Sequence, residues 1–443
     1  MSSLDKKSSY NGFSEIIRRT FVMSDSLILA SYGIDVTDLE IYEILDESDR
    51  EFSIRLRLRR AVVSCPYCGC LSDIKIKDYK HKKYRLVNPN GKSILVNYEQ
   101  RRYVCSCGKT FLEKNPFIWN HNYKVDPKTI ALVVNYLKKA MTIQDIADFV
   151  GISPSSVFNI IDKYVKIPKN HLPEILSIDE FLAFNSDTTK VGKYPCLLVD
   201  VKTHDLIDVI RSRRKAWLEE YFSKKNVTEL QRVKYVVIDM HQPYKDVFKK
   251  YIPHAIIAID KFHYVRYVTE AIDLVRKRVM NRYDDFEIEY KLLKNNRFSL
   301  LKKDEPSRRR KKLVSYLGRY MNKAELLEEV LSIDDELRKA YTIGHNFLRA
   351  LDKVTYDWAE DFLKNTISIF AVSGIKEFEE VANTFTNWQR EIINSFIVTP
   401  DGYYLTNGPI EGMNNKVKTI KKLSYGVTNF NHLRLRILLS FEK

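Results

Sequence analysis

The chain has 443 residues, 44% hydrophobic and 12% aromatic, which is enough to bury several cores and too apolar for a disordered protein. Lys and Arg number 73 against 57 Asp and Glu, a surplus of 16 positive charges that favours a polyanionic partner, a charge that serves anionic membranes as well as nucleic acid. No apolar run reaches the roughly 18 residues of a spanning helix, and the polar start Met1 to Tyr10 lacks a signal peptide's core. A soluble cytoplasmic protein with no membrane partner is expected.

Residues 1–60 open with a helical pattern over Phe13 to Tyr32. Next, Phe52, Ile54, Leu56 and Leu58 alternate with Ser53, Arg55, Arg57 and Arg59, a strand with one apolar and one basic face. Its arginines either guard an edge strand or touch DNA.

Residues 61–118 form the next block, which holds five of the six cysteines. Cys65-Pro66-Tyr67-Cys68-Gly69 is answered by Cys105-Ser106-Cys107-Gly108-Lys109. Each pair fits a tight turn supported by glycine, and two such knuckles complete a tetrahedral Zn²⁺ site of Cys65, Cys68, Cys105 and Cys107. Cys70 or His81 could replace a member of the second pair. Four protein ligands leave no open position, so this zinc is structural.

Residues 125–170 carry a helical period. Ile143, Ile146, Ala147 and Val150 precede Gly151; Ser153 and Pro154 then open a second run through Val157, Ile160, Ile161 and Tyr164. Two short helices joined through glycine make a helix-turn-helix, with Ser155, Ser156, Asn159 and Lys163 facing outward toward double-stranded DNA.

From residue 173 the period changes to strands at Glu174 to Ile178, Tyr194 to Val201, Asp205 to Ile210, Lys234 to Ile238 and Ala255 to Ile259, with a helix near Lys215 to Lys225. Three strands, a helix and further strand-helix units are the order of an RNase H-like α/β core, here residues 173–265. In that topology the ends of the first and fourth strands are neighbours, and Asp179 and Asp239 occupy them. A third acid, Glu411, follows the turn Asn407-Gly408-Pro409 and opens a helix studded with Lys416, Lys418, Lys421 and Lys422. Three carboxylates suit two Mg²⁺ or Mn²⁺ ions roughly 4 Å apart, the arrangement that phosphodiester chemistry requires.

In their order these motifs resemble the ISL-three insertion-sequence transposases with a DDE catalytic domain. The resemblance rests on the two cysteine knuckles, the helix pair, Ile178-Asp179-Glu180-Phe181, Ile238-Asp239-Met240, Asp260-Lys261-Phe262-His263, Asn407 to Gly412, and the closing Tyr425-Gly426 and Asn429-Phe430. It implies a transposase that binds the terminal inverted repeats of its own element, cuts 3′ ends and joins them to target DNA. Asp179, Asp239 and Glu411 are then the catalytic triad, and a homodimer or larger assembly holds two ends. Residues 266–395, which read as almost wholly helical, including Ala324 to Ala340 and Tyr356 to Phe370, form an insertion over the active site or against DNA. The basic run Ser307 to Lys312 within it is either a solvated loop or a phosphate contact. Residues 396–443 return to the core. The expected fold is therefore multidomain α+β, and the competing functions are a transcriptional regulator or a nuclease that cuts without joining.

Overall fold

In the computed structural model, which describes residues 29–30, 34–47, 51–87, 93–117, 127–166, 170–182, 193–424 and 429–442, the chain divides into two units. One lies within residues 1–167 and 419–443, the other within 168–418. The helix expected over Phe13 to Tyr32 falls outside the described residues except at Leu29 and Ala30, which are helical.

The first unit is built on strands β1 (Leu39–Glu47), β2 (Glu51–Leu58), β3 (Ile74–Val87), β4 (Ser93–Cys105) and β5 (Thr110–Leu112). Their order is β1-β2-β4-β3, with β5 also on β4; β2 and β4 run parallel and the other neighbours antiparallel. Alternate residues Ile54, Leu56, Ile94, Val96 and Tyr98 turn to one face and bury themselves with Leu39, Leu86 and Phe117. At roughly 1.5–3 kcal/mol for each buried large apolar side chain, this face drives the sheet together.

The opposite face answers the question of the arginines. Arg55 Nε lies 2.6 Å and Arg57 Nε 3.0 Å from the two oxygens of Glu99, whose side chain is 2% exposed. Glu43 and Glu40 complete the pairing. Arg55 and Arg57 are thus ion-paired within the sheet, while Arg59 Nε donates to the Leu39 carbonyl at 3.2 Å, and β2 lies between β1 and β4, not at the edge expected for guarding arginines. Glu99→Gln is expected to lower stability by about 1–3 kcal/mol, measured by denaturant melting, because both guanidinium groups lose their buried partner while remaining partly solvated.

Helices α1 (Pro127–Leu137), α2 (Ile143–Val150) and α3 (Pro154–Tyr164) follow. Ile143, Ile146, Ala147 and Val150 bury one face of α2; Val157, Ile160 and Ile161 bury one face of α3. Thr142 and Asp145 form a capping box, Gly151 takes φ 70° at the end of α2, and the Ser153 hydroxyl accepts the Ser156 N–H ahead of Pro154.

The second unit contains a five-stranded sheet of β6 (Ile175–Glu180), β7 (Cys196–Asp200), β8 (Leu206–Ile210), β9 (Tyr235–Ile238) and β10 (Ile256–Ile259), in the order β10-β9-β6-β7-β8. β6, β7 and β8 form an antiparallel meander; β9 is parallel to β6, and β10 to β9. β6 continues through Asp179 and Glu180, beyond the expected end at Ile178, because these residues pair with Leu197 and Cys196. Between β8 and β9 lie α4 (Lys215–Ser223) and α5 (Val227–Gln231); α6 (Gln242–Tyr251) joins β9 to β10.

α7 (Lys261–Met280) leads into α8 (Ile288–Asn295), α9 (Arg297–Leu301), a hairpin of β11 (Lys312–Val314) and β12 (Arg319–Met321), then α10 (Lys323–Leu331), α11 (Asp335–Leu351), α12 (Tyr356–Ala371), α13 (Lys376–Asn387) and α14 (Gln389–Asn394). Two expectations change here. The helix read over Ala324 to Ala340 is two helices, because Asp334 caps a new N-terminus by accepting the Leu337 N–H at 2.9 Å. The hairpin interrupts the helical insertion, its three-residue strands being too short for a visible alternation. Arg308, Arg309 and Arg310 lie in an exposed loop before it.

Among the described residues, the segment 266–395 packs into the core of the sheet. Ile272 and Val275 of α7, Phe347 of α11, Phe370 of α12 and Phe385 of α13 share one buried cluster with Leu176, Ile178, Val236 and Ile238 of the sheet. The last helices are α15 (Gly408–Leu423) and α16 (Phe430–Phe441). The division between units falls inside α15, so the segment 396–443 is split: only its part up to residue 418 stays with the sheet. The cause is local packing of α16 within the first unit. His432 stacks on Phe158 with ring centroids 5.0 Å apart, its Nε2 lies 2.6 Å from Asp162, and Lys138 pairs with Glu442 at 2.8 Å. No described helix is long and apolar enough to cross a membrane.

Candidate functional site

Two left-handed glycines build the cysteine cluster. Gly69 (φ 73°) and Gly108 (φ 81°) close turns in which their N–H groups donate to the carbonyls of Cys65 and Cys105 at 2.8 and 2.9 Å. The turns bring Cys65, Cys68, Cys105 and Cys107 to within 4.8 Å of one another, all four sulfurs counted. Cys65 and Cys107 are 3.8 Å apart and Cys68 and Cys105 3.6 Å. A tetrahedral zinc ion with bonds of about 2.3 Å needs sulfurs roughly 3.8 Å apart, so this donor set fits structural zinc. The backbone N–H of Cys107, then the Cys70 thiol, hold Cys105 down at about 6. Cys70 borders the cluster, 3.1 Å from Cys105. His81 does not: it stands opposite Glu99 on β3, and at about 3.3 Å per residue that is roughly 20 Å along β4 from Cys105.

In the second unit the sheet brings three aspartates to one edge. The ladder that pairs Leu176 with Val236 and Ser177 with Val237 brings Asp179 and Asp239 to neighbouring strand ends, and Asp260 follows Ile259 on the next strand, its N–H on the Ile238 carbonyl at 3.0 Å. Burial first, then the charge of Glu180, pushes the Asp179 carboxyl up to about 6. The Asp239 carboxyl is pushed up to about 8 by burial, then by Glu180 and Asp179. Its Oδ1 is buried without a hydrogen-bond partner among the described residues. An orphaned carboxylate oxygen beside a second carboxylate is the environment that a hard divalent cation would complete.

Polar side chains tie this edge to the start of α15. Asp260 Oδ1 accepts the Asn407 N–H at 2.9 Å and the Thr406 hydroxyl at 3.1 Å. Ser177 of β6 donates its hydroxyl to Asn407 Oδ1. One and a half turns into the helix, the Asn414 amide donates to Asp179 Oδ2 at 3.0 Å. The backbone of Glu411 lies between these anchors on α15; its side chain is outside the described residues. Asp260→Ala is expected to cost about 2–4 kcal/mol, read from thermal or denaturant melting, since it strands a buried N–H and frees the turn ahead of α15.

Other sequence-derived positions fall as follows. Ser155, Asn159 and Lys163 are exposed on α3, whereas Ser156 is half-buried with its hydroxyl 2.8 Å from that of Ser153. Lys416, Lys418 and Lys422 are exposed on α15 and Lys421 is half-buried. His263 is half-buried on α7, and burial holds its imidazole below the ordinary value. Sequence reading gave no role to Glu180, Asp260, Asn407 or Asn414. Asp260 carried a usable signal: like Asp179 and Asp239, it ends an apolar strand run.

Comparison with known proteins bears on this geometry. A family profile described as "Transposase" matches residues 176–437, and a second, "zinc-finger of transposase IS204/IS1001/IS1096/IS1165", matches residues 61–107. The chain is 24% identical over 424 residues to "Transposase for insertion sequence element IS1001" of Bordetella parapertussis, covering 93% of this chain and 95% of that protein. It is also 26% identical over 120 residues to an "ATP-dependent protease" of Lactococcus lactis subsp. lactis, covering 27% and 36% of the two chains. The first profile spans more than half of the chain and contains the whole aspartate edge; with a zinc ribbon ahead of it, the protein belongs to the ISL3 family of insertion-sequence transposases.

Proposed function

We propose that this transposase cuts and joins DNA by two-metal chemistry at Asp179, Asp239 and Glu411, on an RNase H-like core. The observation that carries the reading is the pair of strand-end aspartates, one with a buried oxygen lacking any partner in the described residues. When bound, divalent ions activate the attacking oxygen and stabilise the leaving one. Asp179 and Asp239 present hard oxygens to them, and Asn414 orients the Asp179 carboxylate through Oδ2. Glu411 adds the third carboxylate from α15. Asp260, Ser177 and Asn407 position that helix against the strand ends.

α2 and α3 act as a helix-turn-helix, with Ser155, Ser156, Asn159 and Lys163 toward the terminal inverted repeats, while Lys416, Lys418, Lys421 and Lys422 meet backbone phosphate. Two ends are held by a homodimer or larger assembly in the cytoplasm. The test is incubation of purified protein with labelled DNA flanking its own gene, with Mg²⁺ or Mn²⁺ present or chelated. Metal-dependent nicks at the tips of an inverted repeat, followed by joining to a second DNA, are expected. DNA that is shifted in a gel but left uncut with either metal would move a regulator ahead of this reading, and cutting without joining would identify a nuclease.

A further inference from the structure

Beside the aspartate edge, on the β7 and β8 side, lies a cavity of about 420 Å³ that the catalytic reading leaves unused. Four cationic side chains line it, Lys193 ahead of β7 and Arg213, Arg214 and Lys215 after β8, together with Tyr194, Ser212, His241 and Pro243. His241 is two residues beyond Asp239. β7 begins, and β8 and β9 end, at the edge where β6 carries Asp179, so the cavity and the aspartates share one rim of the sheet.

The cations are held in place. Arg213 Nη1 lies 2.7 Å from Glu180, which in turn accepts the Tyr244 hydroxyl at 3.2 Å, and the guanidinium sits 4.5 Å over the Tyr194 ring. Lys193 reaches the same ring at 5.4 Å. Lys215 pairs with Asp246 at 3.1 Å. Two helices also start here: α4 after Arg214 and α6 after His241, each without a side-chain cap, so both positive helix ends add to the field of the lysines and arginines.

We propose that this cavity seats a backbone phosphate of the DNA strand whose neighbouring phosphodiester lies at Asp179 and Asp239. The assignment rests on the transposase reading of the aspartate edge. Its role is to anchor the strand in register, so that the scissile phosphate meets the carboxylates at one fixed offset.

The test combines lysine acetylation footprinting of the wild-type full-length protein, with and without terminal-repeat DNA, and binding of the same DNA by Lys193→Gln and by Lys193→Gln/Lys215→Gln across a salt series. Expected are protection of Lys193 and Lys215 by DNA, affinity lowered roughly five- to tenfold in the double variant, and a salt slope flatter by about one to two phosphate contacts. Lys193 and Lys215 left as reactive with DNA as without it would overturn the proposal, as would unchanged affinity and slope in the folded variants. Protection by millimolar inorganic phosphate alone, with none from DNA, would also overturn it. If wild-type protein fails to cut with either metal while both lysines are protected, the catalytic reading falls and the strand seat stands.

Discussion

Asp239→Asn protein is expected to bind terminal-repeat DNA with unchanged affinity and to leave it uncut, its cleavage rate down about 10³-fold or more, which corresponds to losing roughly 4 kcal/mol of metal-borne stabilisation. The substitution keeps the side chain's shape and removes its charge, so folding should not suffer. It should in fact improve at high pH. Burial, ahead of the charges of Glu180 and Asp179, pushes the folded-state pKa of Asp239 up to about 8 from the ordinary carboxylate value of 3.8. The folded chain therefore retains a proton that the unfolded chain sheds. The stability due to this group is complete below the unfolded value of 3.8 and is lost as pH rises through about 8. Melting of metal-free wild type from pH 5 to pH 8 should fall more steeply than that of Asp239→Asn. At pH 8, Mg²⁺ should raise the wild-type Tm and leave the variant's nearly unchanged. Wild-type cleavage rates in Asp239→Asn would remove this residue from the catalytic set; a Tm insensitive to Mg²⁺ in wild type would remove the metal site.

Loss of zinc should have the larger structural effect. Structural zinc contributes on the order of 10 kcal/mol, comparable to the roughly 5–15 kcal/mol by which a whole domain is stable. Cys105 is the critical position: buried, at the end of β4, it joins the second knuckle to the longest ladder of the first sheet. Cys105→Ser, or chelation of wild type, should abolish zinc retention and open the sheet to proteolysis, whereas Cys70→Ser should keep one zinc per chain. Metal analysis with limited proteolysis reads both. A Cys70→Ser protein free of zinc would place Cys70 among the ligands in exchange for one of the other four.

Local chemistry was legible along the chain. The knuckles could be read because glycine tolerates the left-handed φ found at Gly69 and Gly108. The α2 and α3 boundaries could be read because Gly151, Ser153 and Pro154 act within a few residues of themselves. The strands of the five-stranded sheet could be read because each is a short, mostly apolar run with most of its residues buried. Misreadings arose where a local pattern continued through a break, as at Asp334, or was too short to register, as in β11 and β12.

By itself, then, the sequence determined the order of strands and helices, the two cysteine knuckles that suit zinc, and the two aspartates at strand ends, since each depends on backbone preferences spanning a few residues. Only the tertiary structure decided which groups those aspartates meet. Glu180 turns toward Arg213 and Tyr244, Asp260 grips the turn before α15 across a long stretch of chain, and Asn414 reaches Asp179. The phenylalanines of the insertion join the core of the sheet, and α16 returns to the first unit. These are pairings between residues far apart in the chain, chosen by burial and hydrogen-bond satisfaction after the strands have assembled, and no local period encodes them.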